Sequence, residues 1–208
     1  ISFNPMFGEF ETVRDYCQLF LTNCISFDYK NDLKLFAFLL PMEYVFEDFI
    51  FGFIDKELEQ VTAKAQRSDT YLDEGKDFNL KPDLWLKTEH KSLIADTKYK
   101  IVYSDEKEPK KGISQNDLYQ MLAYAVRFEV DEIILFYPNT IKQEQEKETE
   151  LTIKDALADG KEISIRAFQL PIINRALLET NIETKTDLSE VFEPTRKELK
   201  NKLEKILA

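Results

Sequence analysis

Two aspartates and a lysine lie close together in a stretch rich in strand-forming residues. Residues 81–100 read KPDLWLKTEHKSLIADTKYK, with Asp83 in the first apolar run and Asp96 and Lys98 in the second. Side chains alternate between the two faces of a strand, so Asp96 and Lys98 share one face while Thr97 points to the other. Two carboxylates from neighbouring strands, with an ammonium between them, could bind a hard divalent cation and stabilise the transition state of phosphodiester cleavage.

A helix predicted just upstream supplies a third acid. Residues 42–60, MEYVFEDFIFGFIDKELEQ, repeat apolar side chains with the helical period. Measured from Phe46 at about 100° per residue, Glu47 borders the core-facing side of this helix, whereas Asp48 faces solvent. The pattern therefore predicts Glu47 as the acid that joins the site.

A second predicted helix, downstream, carries two more candidates. Residues 114–130, SQNDLYQMLAYAVRFEV, have Ser114 as the predicted N-cap and Asp117 in the first turn. The apolar stripe of this helix is formed by Leu118, Leu122 and Ala125. Gln120 and Tyr124 lie four residues apart and are predicted to share a face off that stripe. An amide and a phenol on such a face suit contact with a nucleotide or with the catalytic lysine.

The elements that must position these residues alternate between helical and extended patterns. Read in order, they are a helix over 9–25, an apolar strand or helix lead-in over 33–40, the helix over 42–60, strands over 61–72, 78–87 and 92–103, the helix over 114–130, a buried strand over 131–139, a charged loop over 142–150, a strand over 161–170 and a closing helix from about 194. The polar segment TEHK between the strands 78–87 and 92–103 indicates a hairpin. This order predicts an α/β protein with a mixed central sheet flanked by helices, folded as a single domain over residues 1–208.

Charge is distributed unevenly along the chain. The 208 residues hold 28 Lys and Arg against 39 Asp and Glu, a formal net charge of −11, which argues against nucleic-acid binding over the whole surface. Residues 81–127, however, hold nine basic residues against seven acidic ones. Lysines gathered around a few acids suit a site that holds a divalent cation beside a phosphate. Three of these lysines, Lys107, Lys110 and Lys111, lie in one charged segment. This segment either contacts the DNA backbone or is a solvated loop.

Several classes of protein are disfavoured by what the sequence lacks. The single histidine, His90, falls in the predicted TEHK turn, away from partners that a serine hydrolase or a histidine-metal nuclease needs. No G-x-x-x-x-G-K-[ST] occurs, so we expect no nucleotide to be bound by this chain. The two cysteines lie too far apart on a predicted helix to form a disulfide. The sequence has no apolar run long enough to cross a bilayer and no recognisable signal peptide. Together these features predict a cytoplasmic location. A start at Ile1 suggests a piece of a longer protein.

Pro-Asp followed after twelve residues by Asp-Thr-Lys resembles the PD-(D/E)XK nuclease signature. The upstream helical glutamate and the later Q-x-x-x-Y are similar to the RecB-like branch of those nucleases. More closely, FEDFI, KPDLWL, IADTKYK and QNDLYQMLAYA together resemble the C-terminal nuclease domain of the McrC family, over a catalytic core of about residues 40–140, with a C-terminal strand and helices over 150–208.

This resemblance implies a fold, a reaction and partners. It implies a PD-(D/E)XK restriction-endonuclease-like core that cleaves double-stranded DNA with Mg²⁺, for which Mn²⁺ substitutes, together with a separate McrB-like GTP-driven AAA+ motor that recognises modified DNA. The implied residues are Asp83, Asp96 and Lys98 as the core triad, Glu47 as an outer metal ligand and Gln120 and Tyr124 as accessory residues. Lys100 extends the same Asp-Thr-Lys-Tyr-Lys run and is predicted to contact DNA.

Three other functions stay open at this point. A RecB-like exonuclease would share the residues and differ in needing a DNA end. A catalytically silent module would use the same sheet only as a scaffold for a motor or for DNA. An acidic protein-interaction domain would account for the net charge alone. Relatives with an iron–sulfur cluster are excluded, because they need four cysteines and this sequence has two.

Overall fold

A computed structural model describes residues 17, 24–28, 34–38, 40–65, 69–100, 112–140, 146–155, 160–173 and 188–208. The chain divides into two compact units, Ile1–Val45 and Phe46–Ala208. The prediction of one domain over 1–208 stays a prediction. None of the helices in the described part of the chain combines the length and apolar character needed to span a bilayer.

The first unit contains an antiparallel strand pair, β1 (Cys24–Asp28) and β2 (Lys34–Phe38), in which Cys24 lies opposite Phe38. The strand alternative predicted for 33–40 is therefore correct. The helix predicted over 9–25 lies mostly outside the described residues, and its last two positions are wrong because Cys24 and Ile25 belong to β1. Their backbone groups pair with β2, and that pairing overrides the local helical periodicity.

The second unit is built on a six-stranded sheet with the order β3-β6-β7-β8-β10-β9. The pairs β3–β6, β6–β7 and β9–β10 are antiparallel, whereas β7–β8 and β8–β10 are parallel. Two short strands, β4 and β5, form a separate pair. The strands are β3 (Thr62–Ala65), β4 (Thr70–Tyr71), β5 (Asn79–Leu80), β6 (Leu84–Lys87), β7 (Ser92–Thr97), β8 (Glu132–Pro138), β9 (Glu148–Asp155) and β10 (Lys161–Leu170). The mixed sheet and its class are as predicted.

Helices cover both faces of this sheet. They are α1 (Met42–Glu57), α2 (Gln115–Phe128) and α3 (Leu188–Leu207). The core on one face joins α1 and α3 to alternate β7 residues such as Leu93 and Ala95. The core on the other face joins α2 to Ile94 and to alternate residues of β8. Because side chains alternate along β7, Asp96 continues the α2 side of the sheet.

The helices that carry site residues form as the sequence predicts. Apolar side chains of α1 at three- and four-residue spacings, including Phe46, Ile50 and Ile54, are buried. Ser114 is the N-cap of α2, and its hydroxyl accepts a hydrogen bond from the Asp117 N–H. The closing helix α3 begins at Leu188, earlier than the predicted start near Pro194.

Some extended segments differ from their predictions. The strand predicted over 61–72 forms β3 and β4, with residues 66–68 outside the described part. The strand predicted over 78–87 is interrupted between β5 and β6, and the one predicted over 92–103 ends as β7 at Thr97. The loop predicted over 142–150 is wrong from Glu148 onwards, where β9 begins. β9 is an edge strand whose backbone pairs with β10, so its outward charged side chains do not prevent it from joining the sheet.

Candidate active site

The hairpin of β6 and β7 brings the two aspartates together. Leu84 lies opposite Ala95 in this antiparallel pair, so one further step along the register leads to Asp83 and Asp96. Asp83 lies in a bend just before β6 and follows the buried Pro82, which has no N–H to leave unsatisfied there. The hairpin thus places Asp83, just before β6, and Asp96, near the end of β7, at the same end of the sheet.

The Asp83 carboxylate is held by Thr97. The backbone N–H of Thr97 donates to Asp83 Oδ2 at 2.7 Å, and the Thr97 hydroxyl donates to the same oxygen at 2.8 Å. Alternation along an ideal strand predicts that Thr97 points away from the acids. The contact forms because the chain bends at Asp83, beyond the last ladder residue Leu84. Thr97 is a functional candidate that strand alternation alone missed.

Asp96 is a buried carboxylate with an incomplete set of partners. Its side chain is 1% exposed, and its Oδ2 is ion-paired with Lys98 Nζ. Oδ1 has no hydrogen-bond partner among the described residues. Burial, together with the negative charge of Asp83, raises the pKa of Asp96 to about 7 in spite of the Lys98 ammonium. An unpartnered carboxylate oxygen at such depth fits a cation ligand, because buried polar atoms are otherwise almost always paired.

Lys98 links the acids to α2. Its Nζ pairs with Asp96 and donates to Gln120 Oε1 at 3.2 Å. Burial alone would lower the pKa of Lys98, but the charge and hydrogen bond of Asp96, and then the charge of Asp83, raise it above its usual value. Lys98 is therefore an ammonium at neutral pH. It can orient a water or offset negative charge, and it is not available as a neutral base.

A hydrogen-bonded chain continues from Lys98 through α2 and back to β6. Gln120 Nε2 donates to the Tyr124 hydroxyl at 2.8 Å, and that hydroxyl donates to the Lys81 carbonyl at 2.9 Å. Lys81 directly precedes Pro82 and Asp83. Burial, and then the charge of Asp96, raises the pKa of Tyr124, so the phenol stays protonated.

The expected position of Tyr124 off the apolar stripe of α2 is wrong. Tyr124 is 2% exposed and packs in the core beside Met121 and Ala125, whereas Leu118 and Leu122 are only partly buried. The stripe is rotated toward residues 117, 121, 124 and 125. Tyrosine tolerates this position because its ring packs among apolar side chains while its hydroxyl keeps two hydrogen-bond partners.

Glu47 is buried at the start of the second unit, on α1. Helix α1 packs on the opposite face of the sheet from α2. Within the described residues, no group of three or more His, Cys, Asp or Glu side chains is arranged to hold a metal ion. The three-acid ligand set of Glu47, Asp83 and Asp96 therefore stays a prediction, and the observed geometry brings Asp83 and Asp96 together at the end of the strands.

The lysines predicted to contact DNA fall in two groups. Lys107, Lys110 and Lys111 lie outside the described residues. Lys100 is described, and its Nζ contacts both carboxylate oxygens of the buried Asp117 at 2.8 and 3.0 Å. The DNA contacts of all four lysines stay predictions.

A cavity of about 690 Å³ lies at the other end of β7. It is lined by residues from the C-terminal ends of α1 and α3 and from the β6–β7 turn, including Glu57, Thr88, His90 and Glu204. None of the candidate site residues lines it. The polar cluster at the end of β7, rather than this cavity, carries the groups that can do chemistry.

Known proteins give two points of comparison. A family model described as McrBC 5-methylcytosine restriction system component matches residues 1–138. The chain is also similar to one in a structure described as a refined half-complex from a tetradecameric assembly of Thermococcus gammatolerans McrB AAA+ hexamers with bound McrC. That match has a TM-score of 0.61 and 15% identity, and it covers 99% of this chain and 40% of that chain. No curated protein matches.

The two comparisons carry different weight. At 15% identity the structural likeness shows a common fold, and this chain spans about 40% of the length of the chain that it matches. The family model, in contrast, covers well over half of the sequence and includes every described residue of the Asp83–Asp96–Lys98 cluster and of α2. The chain therefore belongs to the McrBC 5-methylcytosine restriction system component family.

Proposed function

We propose that this chain is the DNA-cleaving subunit of its restriction system, a Mg²⁺-dependent endonuclease with Asp83, Asp96 and Lys98 at its centre. The observation that carries the proposal is the buried Asp96, whose Oδ1 has no partner among the described residues while a second carboxylate and an ammonium lie beside it. A divalent cation would complete this arrangement, because hard cations prefer carboxylate oxygens and keep part of their water shell.

Each residue would have a defined part in the reaction. Bound Mg²⁺ would supply Lewis-acid activation of the scissile phosphate and of a water. Asp83 and Asp96 would hold the ion, with Asp83 kept in place by the two hydrogen bonds from Thr97. Lys98, an ammonium at neutral pH, would orient the attacking water and offset charge on the pentavalent transition state.

Gln120 and Tyr124 would act on Lys98 rather than on the substrate. Gln120 accepts a hydrogen bond from Lys98 Nζ and donates one to the Tyr124 hydroxyl, which is itself tied to the Lys81 carbonyl. These hydrogen bonds restrict the rotamers of the long Lys98 side chain. A fixed ammonium stabilises a transition state better than a mobile one. Glu47 is proposed as an outer ligand that binds the ion through water.

The proposal extends to partners. The fold neighbour comes from an assembly of McrB AAA+ hexamers with bound McrC, which supports a motor partner for this chain as well. Nucleotide hydrolysis would belong to that motor, since this sequence has no phosphate-binding G-x-x-x-x-G-K-[ST]. Double-stranded DNA would be the substrate of the assembled system.

The test is cleavage of supercoiled plasmid by the purified chain, alone and with a candidate motor, in Mg²⁺, Mn²⁺ or EDTA. A closed circle has no ends, so nicking or linearisation identifies an endonuclease and excludes an enzyme that works only from ends. Asp96→Asn and Lys98→Met should each reduce cleavage by about 1,000-fold or more, because each removes a group that acts on the transition state.

Lys91→Met is the matched control, because Lys91 forms an ion pair at the opposite end of β7. It should cleave at the wild-type rate. Cleavage by Lys98→Met at the wild-type rate would disprove the proposed role of the lysine. Absence of metal-dependent cleavage by the wild type with its motor would disprove the proposed function.

A further inference from the structure

The three residues that follow β7 make a tight turn directly at the candidate lysine. Lys98 N–H donates to the Phe136 carbonyl at 2.8 Å, which continues the pairing with β8. Lys100 N–H then donates to the Lys98 carbonyl at 2.7 Å, a hydrogen bond between residues two apart that closes a turn centred on Tyr99. The backbone that carries Lys98 is thus fixed on one side by the sheet and on the other by this turn.

Lys100 anchors the turn to α2. Its Nζ contacts both oxygens of Asp117, whose side chain is 8% exposed. Asp117 lies in the first turn of α2, where the helix dipole favours an acid. Its backbone N–H donates a hydrogen bond to Ser114 Oγ. Asp117 and Gln120 are three residues apart and are neighbours on the helix surface. Lys98 and Lys100 therefore contact adjacent positions of one helix.

Tyr99 anchors the turn on the other side of the sheet. Its ring packs against Phe46 of α1 with a centroid distance of 5.9 Å. Phe46 is buried and directly precedes Glu47. The turn is thus held between the two helices that carry the remaining candidate residues, with Lys100 and Tyr99 as its two contacts.

We propose that Lys100 and Asp117 are positioning residues, whose ion pair fixes the turn after β7 and so holds Lys98 Nζ at Asp96, and that Lys100 does not contact a DNA phosphate. The inference rests on the proposed nuclease function. A lysine that moved from Asp117 to a phosphate would leave a buried carboxylate without its cation, and such an unpaired charge is strongly destabilising. The Lys100 side chain is 53% exposed, whereas the Asp117 carboxylate that it contacts is 8% exposed, so the ammonium is held by a buried acid.

The experiment compares Lys100→Met, Asp117→Asn and the double variant with wild type in plasmid cleavage. A positioning role predicts that kcat falls by about 10- to 100-fold while KM stays within about twofold. The double variant should be no worse than either single variant, because residues that act as a unit are not additive. Lys100→Arg should recover most of the lost kcat, since a guanidinium can bind both carboxylate oxygens.

A binding measurement separates this role from phosphate contact. With Ca²⁺ in place of Mg²⁺, the dependence of DNA affinity on salt should be the same for Lys100→Met and wild type. A slope smaller by about one, with kcat unchanged, would identify Lys100 as a phosphate contact and overturn the inference. Wild-type kcat in the double variant would overturn it as well.

Two controls keep the inference distinct from the proposed function. Lys91→Met removes an ion pair of 2.9 Å at the other end of β7 and should leave kcat unchanged. Thermal melts check that each variant is folded. If a single variant unfolds, the double variant takes its place in the cleavage assay, because it leaves no buried charge unpaired. If the wild type cleaves but the Lys100 and Asp117 variants are unaffected, only the inference fails. If the wild type does not cleave, the proposed function fails first and the inference with it.

Discussion

The two ends of β7 each hold a lysine paired with an acid, but their charges balance differently. At the amino end Glu132 is contacted by two cations, Lys91 at 2.9 Å and Arg166. All three side chains are between about one fifth and one third exposed, so solvent also screens them. The Glu132 carboxylate is therefore compensated by two cations and needs no added ion.

Around Asp96, at the carboxyl end, negative charge exceeds positive charge. The charges that act on this carboxyl are the negative ones of Asp83 and Asp117 and the positive one of Lys98, while Lys100 is paired with Asp117. The Asp96 carboxylate is almost completely buried, and it is the group whose pKa rises to about 7. A lysine–acid pair is thus structural where charge is balanced near solvent, and it suits ion binding where buried negative charge exceeds the available cations.

The largest effect expected from this difference is a pH-dependent gain in stability on neutralising Asp96. Without metal, folded Asp96 keeps its proton up to about pH 7, whereas the unfolded chain loses it near pH 4. Wild-type stability should therefore fall, relative to Asp96→Asn, as pH rises from about 4 to 7, and the difference should then level off. Urea denaturation in EDTA should show a relative change of up to about 4 kcal/mol. If the difference in the free energy of unfolding between wild type and Asp96→Asn does not vary with pH, burial does not raise the pKa of Asp96.

An intermediate effect is expected from the ion itself. At a Mg²⁺ concentration about 100 times its Kd, binding should stabilise the wild type by about 2.7 kcal/mol, which raises Tm by roughly 5–10 °C. Asp96→Asn should gain almost nothing, because it loses a charged ligand. Lys91→Met should gain as much as the wild type, because its ion pair lies at the balanced end. Equal gains in all three proteins, measured by scanning calorimetry, would remove the distinction between the two ends.

The smallest effect is expected at the amino end. Lys91→Met should change the free energy of unfolding by about 0–1 kcal/mol, as is usual for partly exposed ion pairs, because Arg166 still compensates Glu132. Chemical denaturation checks the stability and plasmid cleavage checks the activity. A large loss of activity in this variant would show that both ends of β7 serve the reaction.

Much of the site follows from local sequence because its central contact is local. Asp96 and Lys98 share a face of an extended segment, and their ion pair forms as strand alternation predicts. The hairpin register that brings Asp83 close follows from two apolar runs and a short polar turn. The N-cap at Ser114 and the buried stripe of α1 are likewise local patterns.

Contacts between distant segments were not predictable in the same way. The hydrogen bonds from Thr97 to Asp83 depend on a bend at the end of the ladder. The Lys100–Asp117 pair depends on how closely α2 approaches the turn after β7. Strand β9 depends on β10, because a charged segment joins a sheet when a partner satisfies its backbone groups.

By itself, the sequence determined which residue types could bind an ion, the strands and helices that carry them and the family to which the chain belongs, because periodicity and motif spacing are properties of neighbouring residues. Only the tertiary structure decided that Asp96 is buried with one oxygen unpaired, that Tyr124 lies in the core and that Lys100 is held by Asp117. Burial and electrostatic coupling depend on which segments pack together, and residues 17 to 43 positions apart in the sequence meet at this site only after the sheet and α2 have assembled.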